Sequence, residues 1–461
     1  MKRVIVVGGG IAGLAVAWAL RWREPGTLLT VLERSPRTGG NIRTEHVDGY
    51  TCEAGPDGFL DNAPATLHLV RQLGLEKRLL ASRDAARKRY IFRRGRLHQV
   101  PLSGPAMLTS SLLSPLGKTR LLCEPFSRRR PEADESIHDF ASRHIGGEAA
   151  SVLVDAMVSG IFAGDTHALS LRACFPKMWD LETQHGSLVR AMIATRRQRK
   201  ATDTPGSPAG TLTSFVDGMS ELAEALTDTL ADVVRTKTRA MTVRRGPGTA
   251  EWNVLTTAGP MHADAVVLAG PAAESSELLR TFDPRLACEL NDIPTAPVAV
   301  LALGYDEAAI GPLDGFGFLV PRSEGMRTLG ALWETSIYPN RAPEEKALLR
   351  VILGGAKDPS AVTLNDDELL ATVLKDLETT MGLTASPAFV KITRHMRGIP
   401  QYERGHLARL ERIDAHVAAY PGLHLAGNSY RGVSMNSCIA EADRMADTVL
   451  AITPPRLPVA V

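Results

Sequence analysis

The chain has 461 residues, 44% hydrophobic and 23% charged, with a net charge of +2. These values exclude intrinsic disorder and a dedicated nucleic-acid binder, and they leave room for two or three domains around a large core. Its five cysteines, Cys52, Cys123, Cys174, Cys288 and Cys438, contain no CxxC, which speaks against disulfides, a redox-active dithiol or a zinc site and fits a reducing compartment.

A first strand is expected from residue 3, which leaves no length for a signal or transit peptide. The apolar run Val4 to Val7 ends in Gly8-Gly9-Gly10-Ile11-Ala12-Gly13, and Glu33 closes a second apolar run, Leu28 to Leu32. Strand, glycine turn, helix start and an acidic residue about twenty positions on make a dinucleotide-binding βαβ unit. Gly8 permits the tight turn, Gly10 admits a pyrophosphate, and Gly13 lets helix and strand pack closely. The helix N-terminus offers N–H groups to the phosphates, and Glu33 is placed for the ribose hydroxyls. Arg34, Arg37, Gly39, Gly40, Asn41 and Arg43 follow. More small residues and cations than a nicotinamide site needs point to FAD, bound non-covalently. Gly55-Pro56-Asp57-Gly58 adds a small-residue turn suited to lie against the isoalloxazine ring.

From Val100 to Phe126 leucines alternate with Lys118 and Arg120, and Arg128-Arg129-Arg130 follows. Such a stretch suits either peripheral contact with an anionic membrane or an ordinary helical subdomain with a basic edge. No apolar run reaches about 18 residues, so no spanning helix is expected. Ala201 to Leu212, after the charged run Arg196 to Lys200, reads as a linker or mobile loop. Helical spacing over Gly218–Leu230 is followed by short strands near Val233, Met241 and Trp252. Asp264 to Pro271 reads as a buried strand at a sheet edge near the cofactor. Pro297–Leu303 and Phe316–Val320 suggest a separate, mostly antiparallel sheet. Leu423–Asn428 is a strand running into glycine, and a helix from about Ser437 to Ile452 ends the chain.

The layout is α/β: a discontinuous Rossmann-like FAD domain of residues 1–84, 213–290 and 405–461, with two insertions. Residues 85–210 and 291–404 are left to form two further domains. No second glycine fingerprint with an acidic partner is present, which favours oxygen or a quinone over NAD(P)H as the partner of the flavin.

Further segments narrow the choice. Arg89-Tyr90-Ile91-Phe92 with Gly95-Arg96-Leu97 and Val100-Pro101 is one. Ser159 to Asp165, with Leu169-Ser170 and Cys174 to Pro176, is another. Gly315 to Pro321, Gly398 to Tyr402 with Gly405-His406, and Gly427 to Asn436 complete the set. In this order they resemble the oxygen-dependent protoporphyrinogen oxidases, within the amine-oxidase-like flavoproteins. The resemblance runs nearly end to end, and it implies that residues 85–210 are a mostly helical, membrane-associating insertion and 291–404 an α+β substrate-binding domain. It implies FAD contacts at Gly8, Gly9, Gly10, Ile11, Ala12, Gly13, Glu33, Arg34, Gly40, Asn41, Arg43, Gly55, Pro56, Asp57 and Gly58. Further contacts are implied at Gly427, Val433, Ser434 and Met435. Ala240 stands where the family usually carries a valine against the adenine, and Leu407 where some relatives carry tryptophan. Arg89 is implied to pair with a porphyrinogen propionate, and Gly160, Phe316, Gly317 and Leu319 to line the tetrapyrrole pocket.

The reaction so implied is a six-electron aromatisation of a porphyrinogen in three hydride transfers, with oxygen reoxidising the flavin to give peroxide. The flavin carries the chemistry, so no catalytic side chain is expected; His138, His144, His167 and His185 read more readily as structural. Beyond substrate and oxygen, peripheral contact with the inner face of the cell membrane, a homodimer and hand-off to a ferrochelatase are the partners implied, in a cytoplasmic setting and without nucleic acid. A coproporphyrinogen III oxidase is the nearest rival. A flavin amine oxidase or carotenoid desaturase is a more distant one, and a non-redox binder of lipidated proteins on the same fold is the rival of another class.

Overall fold

The computed structural model describes residues 1–126, 134–191, 193–194, 210–246 and 251–451. Expectations for Arg128-Arg129-Arg130, for the run Arg196 to Lys200 and for most of Ala201–Leu212 lie outside them.

A five-stranded parallel sheet forms the nucleotide side. Arg3–Val7 lies between Leu28–Leu32 and Ala265–Leu268, with Val234–Arg235 and Leu423–Leu425 on the flanks. Parallel strands are covered on both faces and so read as continuous apolar runs. One face carries Val4, Val6, Val31 and Val267 with the helices Ile11–Arg23 and Met435–Ala451. The other carries Ile5, Leu32, Val266 and Leu268 with Trp252 and Leu279. The two helices are also joined by ion pairs from Arg23 to Asp443 and Asp447, each 3.0 Å. Ala265–Leu268 is an interior strand rather than a sheet edge, because Leu423–Leu425 pairs on its far side.

A seven-stranded sheet forms the second lobe; its long strand Thr295–Asp306, next to one edge, pairs antiparallel with Lys346–Gly354 and Phe389–Pro400. Thr328–Trp333 and Gly317–Leu319 extend it. The boundary expected at residue 85 is corrected here. Tyr90–Arg93 and Arg96–Gln99 form a hairpin that joins this sheet, with Phe318 opposite Tyr90 in parallel register. The hairpin turn is Arg94-Gly95, both at positive φ (51° and 78°), the two-residue geometry whose twist matches the strands. Helices follow only from Gly104 onward. Among them, Ile137–Ile145 and Asp155–Phe162 share a small core of Ile137, Phe140, Val158, Phe162, Leu169 and Leu171. Among the described residues, no helix is long and apolar enough to cross a membrane.

Candidate functional site

The nucleotide end is built by close backbone contacts. A Cβ on Gly13 would stand 1.9 Å from the Gly8 carbonyl oxygen, so only glycine lets the helix start this near the strand. Helix Ile11–Arg23 has no side-chain cap on its first turn, which leaves N–H groups free for an anion. Glu33 is 9% exposed and accepts from Gly9 N–H (2.8 Å) and Ser35 N–H (2.7 Å), one on each oxygen. Each carboxylate oxygen keeps a second lone pair for a ribose hydroxyl. The Gly39 N–H donates to the Gly9 carbonyl at 2.8 Å, laying the second glycine loop beside the first, with Gly40 against Gly10.

The cations are arranged differently from the simple expectation. Arg34 is paired with Glu274 (2.9 Å) and Arg43 with Glu45 (2.7 Å). Arg37 instead turns inward and donates to the carbonyls of Thr38, Gly40 and Ile42, at 2.9, 2.8 and 3.2 Å. It shapes the glycine loop. Ala240 is buried and begins the strand Ala240–Arg245, whose approach is set by Thr238 N–H donating to the Glu33 carbonyl (2.9 Å).

The turn Gly55–Gly58 lies where the two lobes meet. A Cβ on Gly55 would be 1.9 Å from the Asn41 carbonyl oxygen. From the seven-stranded sheet, Arg350 donates to the Gly55 carbonyl and stands 3.9 Å from the Asp57 carboxylate, while His395 Nε2 donates to the Ala54 carbonyl at 2.8 Å. Burial lowers the His395 pKa more than that bond raises it, so its ring is held neutral. Arg350 and His395 were missed in the sequence. The signal was there for Arg350, a lone cation inside the apolar run Lys346–Gly354. Asn428 and Gly427 lie near the start of the first helix, where a Gly427 Cβ would be 3.8 Å from Ala12. Ser434 caps the last helix by accepting from Ser437 N–H at 3.1 Å. Met435 is buried in the core beside it, and Val433 packs on the helical insertion.

On the far side of the turn, the Arg89 guanidinium lies 5.1 Å from the centroid of the Phe316 ring. The Phe316 N–H donates to the Lys88 carbonyl at 2.7 Å, which fixes this neighbourhood through backbone. Gly317 and Leu319 continue the strand, and a Gly160 Cβ would meet Leu319 Cδ2 at 2.9 Å. Gly317 and Leu319 thus follow Phe316 along one strand, and Gly160, on a separate helix, reaches that strand through Leu319. His144 belongs to a buried ion network with Glu124 (2.8 Å) and Glu182 (3.2 Å), and His138 stacks on His167 at 3.8 Å.

Glycine cradles, an uncapped helix start, a buried Glu33 and a polar turn between two lobes fit an FAD laid along the parallel sheet. The comparisons agree. The family described as flavin containing amine oxidoreductase matches residues 11–450. The coproporphyrinogen III oxidase of Bacillus subtilis (strain 168) is 31% identical over 456 residues, covering 95% of this chain and 96% of its own. The protoporphyrinogen oxidase of Homo sapiens is 31% identical over 482 residues, covering 98% and 99%. A crystal structure from Exiguobacterium sp. 255-15, of a protein provisionally named a protoporphyrinogen oxidase, superposes with a TM-score of 0.85 at 29% identity over 97% of this chain and 98% of its own.

Proposed function

The chain belongs to the flavin containing amine oxidoreductase family, in the branch of the protoporphyrinogen and coproporphyrinogen III oxidases, and on that premise we propose that it oxidises protoporphyrinogen IX to protoporphyrin IX, with oxygen as acceptor and peroxide as product. It is an oxidoreductase that uses FAD. The observation that carries the substrate reading is the cation–aromatic pair Arg89–Phe316, followed along the chain by the strand Gly317–Leu319 on which Gly160 packs.

Bound FAD supplies a hydride acceptor for the methylene bridge. The protein's part is to orient and to exclude water. Arg89 offers a planar fork to a propionate, fixing the ring's angle, while Phe316 and Leu319 offer apolar contact to the macrocycle. The absence of a side chain at Gly160 lets Leu319 pack against that helix, which sets where its apolar surface is offered. Three rounds complete the six-electron change, with tautomerisation returning hydrogens to one reacting carbon.

Coproporphyrinogen III is the second reading, favoured by the Bacillus subtilis relative. An aerobic fluorescence assay of the FAD-loaded protein with both porphyrinogens in parallel, and peroxide followed alongside, decides between them. Faster porphyrin formation from protoporphyrinogen IX supports the first reading and faster formation from coproporphyrinogen III the second. No turnover of either above the autoxidation blank rejects both. For location, the exposed Leu102, Leu116, Leu122 and Phe126 support peripheral contact at the inner face of the cell membrane.

A further inference from the structure

The buried polar groups not yet given a role collect behind the Gly55–Gly58 turn. Glu334, which follows the strand Thr328–Trp333, is 2% exposed, and neither of its carboxyl oxygens has a hydrogen-bond partner among the described residues. The same holds for Asp57 Oδ2, the Tyr338 hydroxyl and the Nε atoms of Arg341 and Arg350. The Tyr338 hydroxyl lies against the turn itself, 2.6 Å from where a Gly58 Cβ would be. Unpartnered groups in such number within one native core imply a polar chamber filled by ordered water.

The two cations nearby are engaged elsewhere. Arg341 donates to the carbonyls of Val216 and Phe215 and to Ser214 Oγ, at 3.2, 3.1 and 2.9 Å, and Arg350 holds the Gly55 carbonyl. Glu334 is therefore a buried carboxyl with no salt bridge among the described residues. Burial, and next the like charge of Asp57, push its pKa well above the usual carboxylate range; Arg350 and Arg341 oppose this, and Glu53 adds to it. The effect is to bring its ionisation from the acidic range toward neutrality, where enzymes use it.

We infer that Glu334 is a redox-linked proton site, a positioning residue that takes up a proton from behind the turn when the flavin is reduced and gives it back on reoxidation. The balance is simple. A substrate C–H bond breaks with its electron pair leaving as hydride for the flavin, which places one negative charge beside the turn. The substrate's N–H bond then breaks with its pair staying on the organic molecule, and the freed proton reaches the Glu334 carboxylate through the chamber that Asp57 and Tyr338 border. One positive charge meets one negative charge, and the low-dielectric site gains no net charge. When oxygen removes the two electrons, the stored proton leaves with them in peroxide. The inference rests on the bound flavin; the proton comes from a substrate N–H during turnover and from solvent when the flavin is reduced without substrate, so the choice of porphyrinogen does not enter.

The test is a spectroelectrochemical titration of the flavin-loaded protein, without substrate, from about pH 7 to about pH 9.5. A failed substrate reading therefore leaves this measurement untouched. The wild type is expected to change from one proton per two electrons to two as pH rises, because Glu334 then ionises only in the oxidised state. E334Q is expected to stay at one throughout. D57N, which removes the like charge, is expected to move the change to lower pH. A wild type that shows one proton across the range, or an E334Q that still shows two, overturns the inference. Should E334Q fail to fold or hold flavin, D57N decides: a shift to lower pH supports the assignment, and an unmoved change overturns it.

Discussion

Arg87 and Lys88 each meet a carboxylate, Asp84 and Asp314 respectively, whereas Arg89 makes no ion pair with a carboxylate among the described residues and rests over an aromatic ring. Sequence treats these three as one basic run; the side chains do not. An arginine that is oriented by a ring and free of acidic partners is suited to a carboxylate of the substrate. Arg89→Ala is expected to lower kcat/KM by more than tenfold with FAD content unchanged, measured by steady-state fluorescence and flavin absorbance. Near-normal kinetics would remove Arg89 from the pocket. Glu53 offers a separate check. Burial pushes its pKa up to about 7, against the donors Met219 N–H and Thr44 Oγ1. With the folded value above the unfolded one, the folded state holds the extra proton, so stability is greatest in acid and falls as pH rises from about 4.5 to about 7. The loss amounts to roughly 3–4 kcal/mol, at about 1.4 kcal/mol per unit. Glu53→Gln should flatten denaturant-derived stability across that window; an unchanged slope would mean that Glu53 ionises as it does in the unfolded chain.

At the scale of elements, the helical insertion carries an apolar rim. Leu102, Leu116, Leu122 and Phe126 are 74, 80, 59 and 82% exposed, and if they form one patch it would be suited to an interaction surface. The basic side chains alongside are less free than their sequence suggests, since Arg120 donates to the carbonyls of Arg143 and His144 at the end of helix Ile137–Ile145. These bonds restrain Arg120 without neutralising it, and on the proposed membrane contact apolar insertion would add to electrostatic attraction. Leu116→Asp with Phe126→Asp is expected to cut co-sedimentation with anionic vesicles by tenfold or more while leaving activity in detergent unchanged. Equal sedimentation of variant and wild type would reject the membrane reading.

At the scale of the whole molecule, the two largest sheets approach each other at a polar turn. Arg350 and His395, from neighbouring parts of the large sheet, both reach the backbone of residues 54 and 55, so the second lobe shapes the wall against which the flavin is expected to lie. Arg350→Met leaves a buried carbonyl without its donor, which costs about 1–3 kcal/mol. It should also weaken FAD binding, and with it the roughly 2.7 kcal/mol that a ligand at a hundred times its Kd confers. Thermal unfolding with and without added FAD measures this: the wild type should show the larger ligand-dependent rise in Tm, and equal rises would show that Arg350 does not shape the FAD site.

The dinucleotide unit was legible from residues 4–33 alone, because its contacts are local. Turn, close helix approach and acidic residue follow one another along the chain, and Gly13 can be read as necessary without knowing what lies elsewhere. The parallel strands were equally plain as continuous apolar runs. What remained hidden depended on pairings across long sequence distance. The hairpin Tyr90–Gln99 joins the large sheet through Phe318 and Leu319, more than two hundred positions away. Glu334, Tyr338, Arg341 and Arg350 become one chamber with Asp57 only once a strand of the second lobe is laid against a turn of the first. By itself the sequence determined the cofactor fold, since covalent neighbours and steric limits decide it. Tertiary structure decided which charges are paired, which are free and which are buried, since these depend on desolvation and distance in the packed molecule.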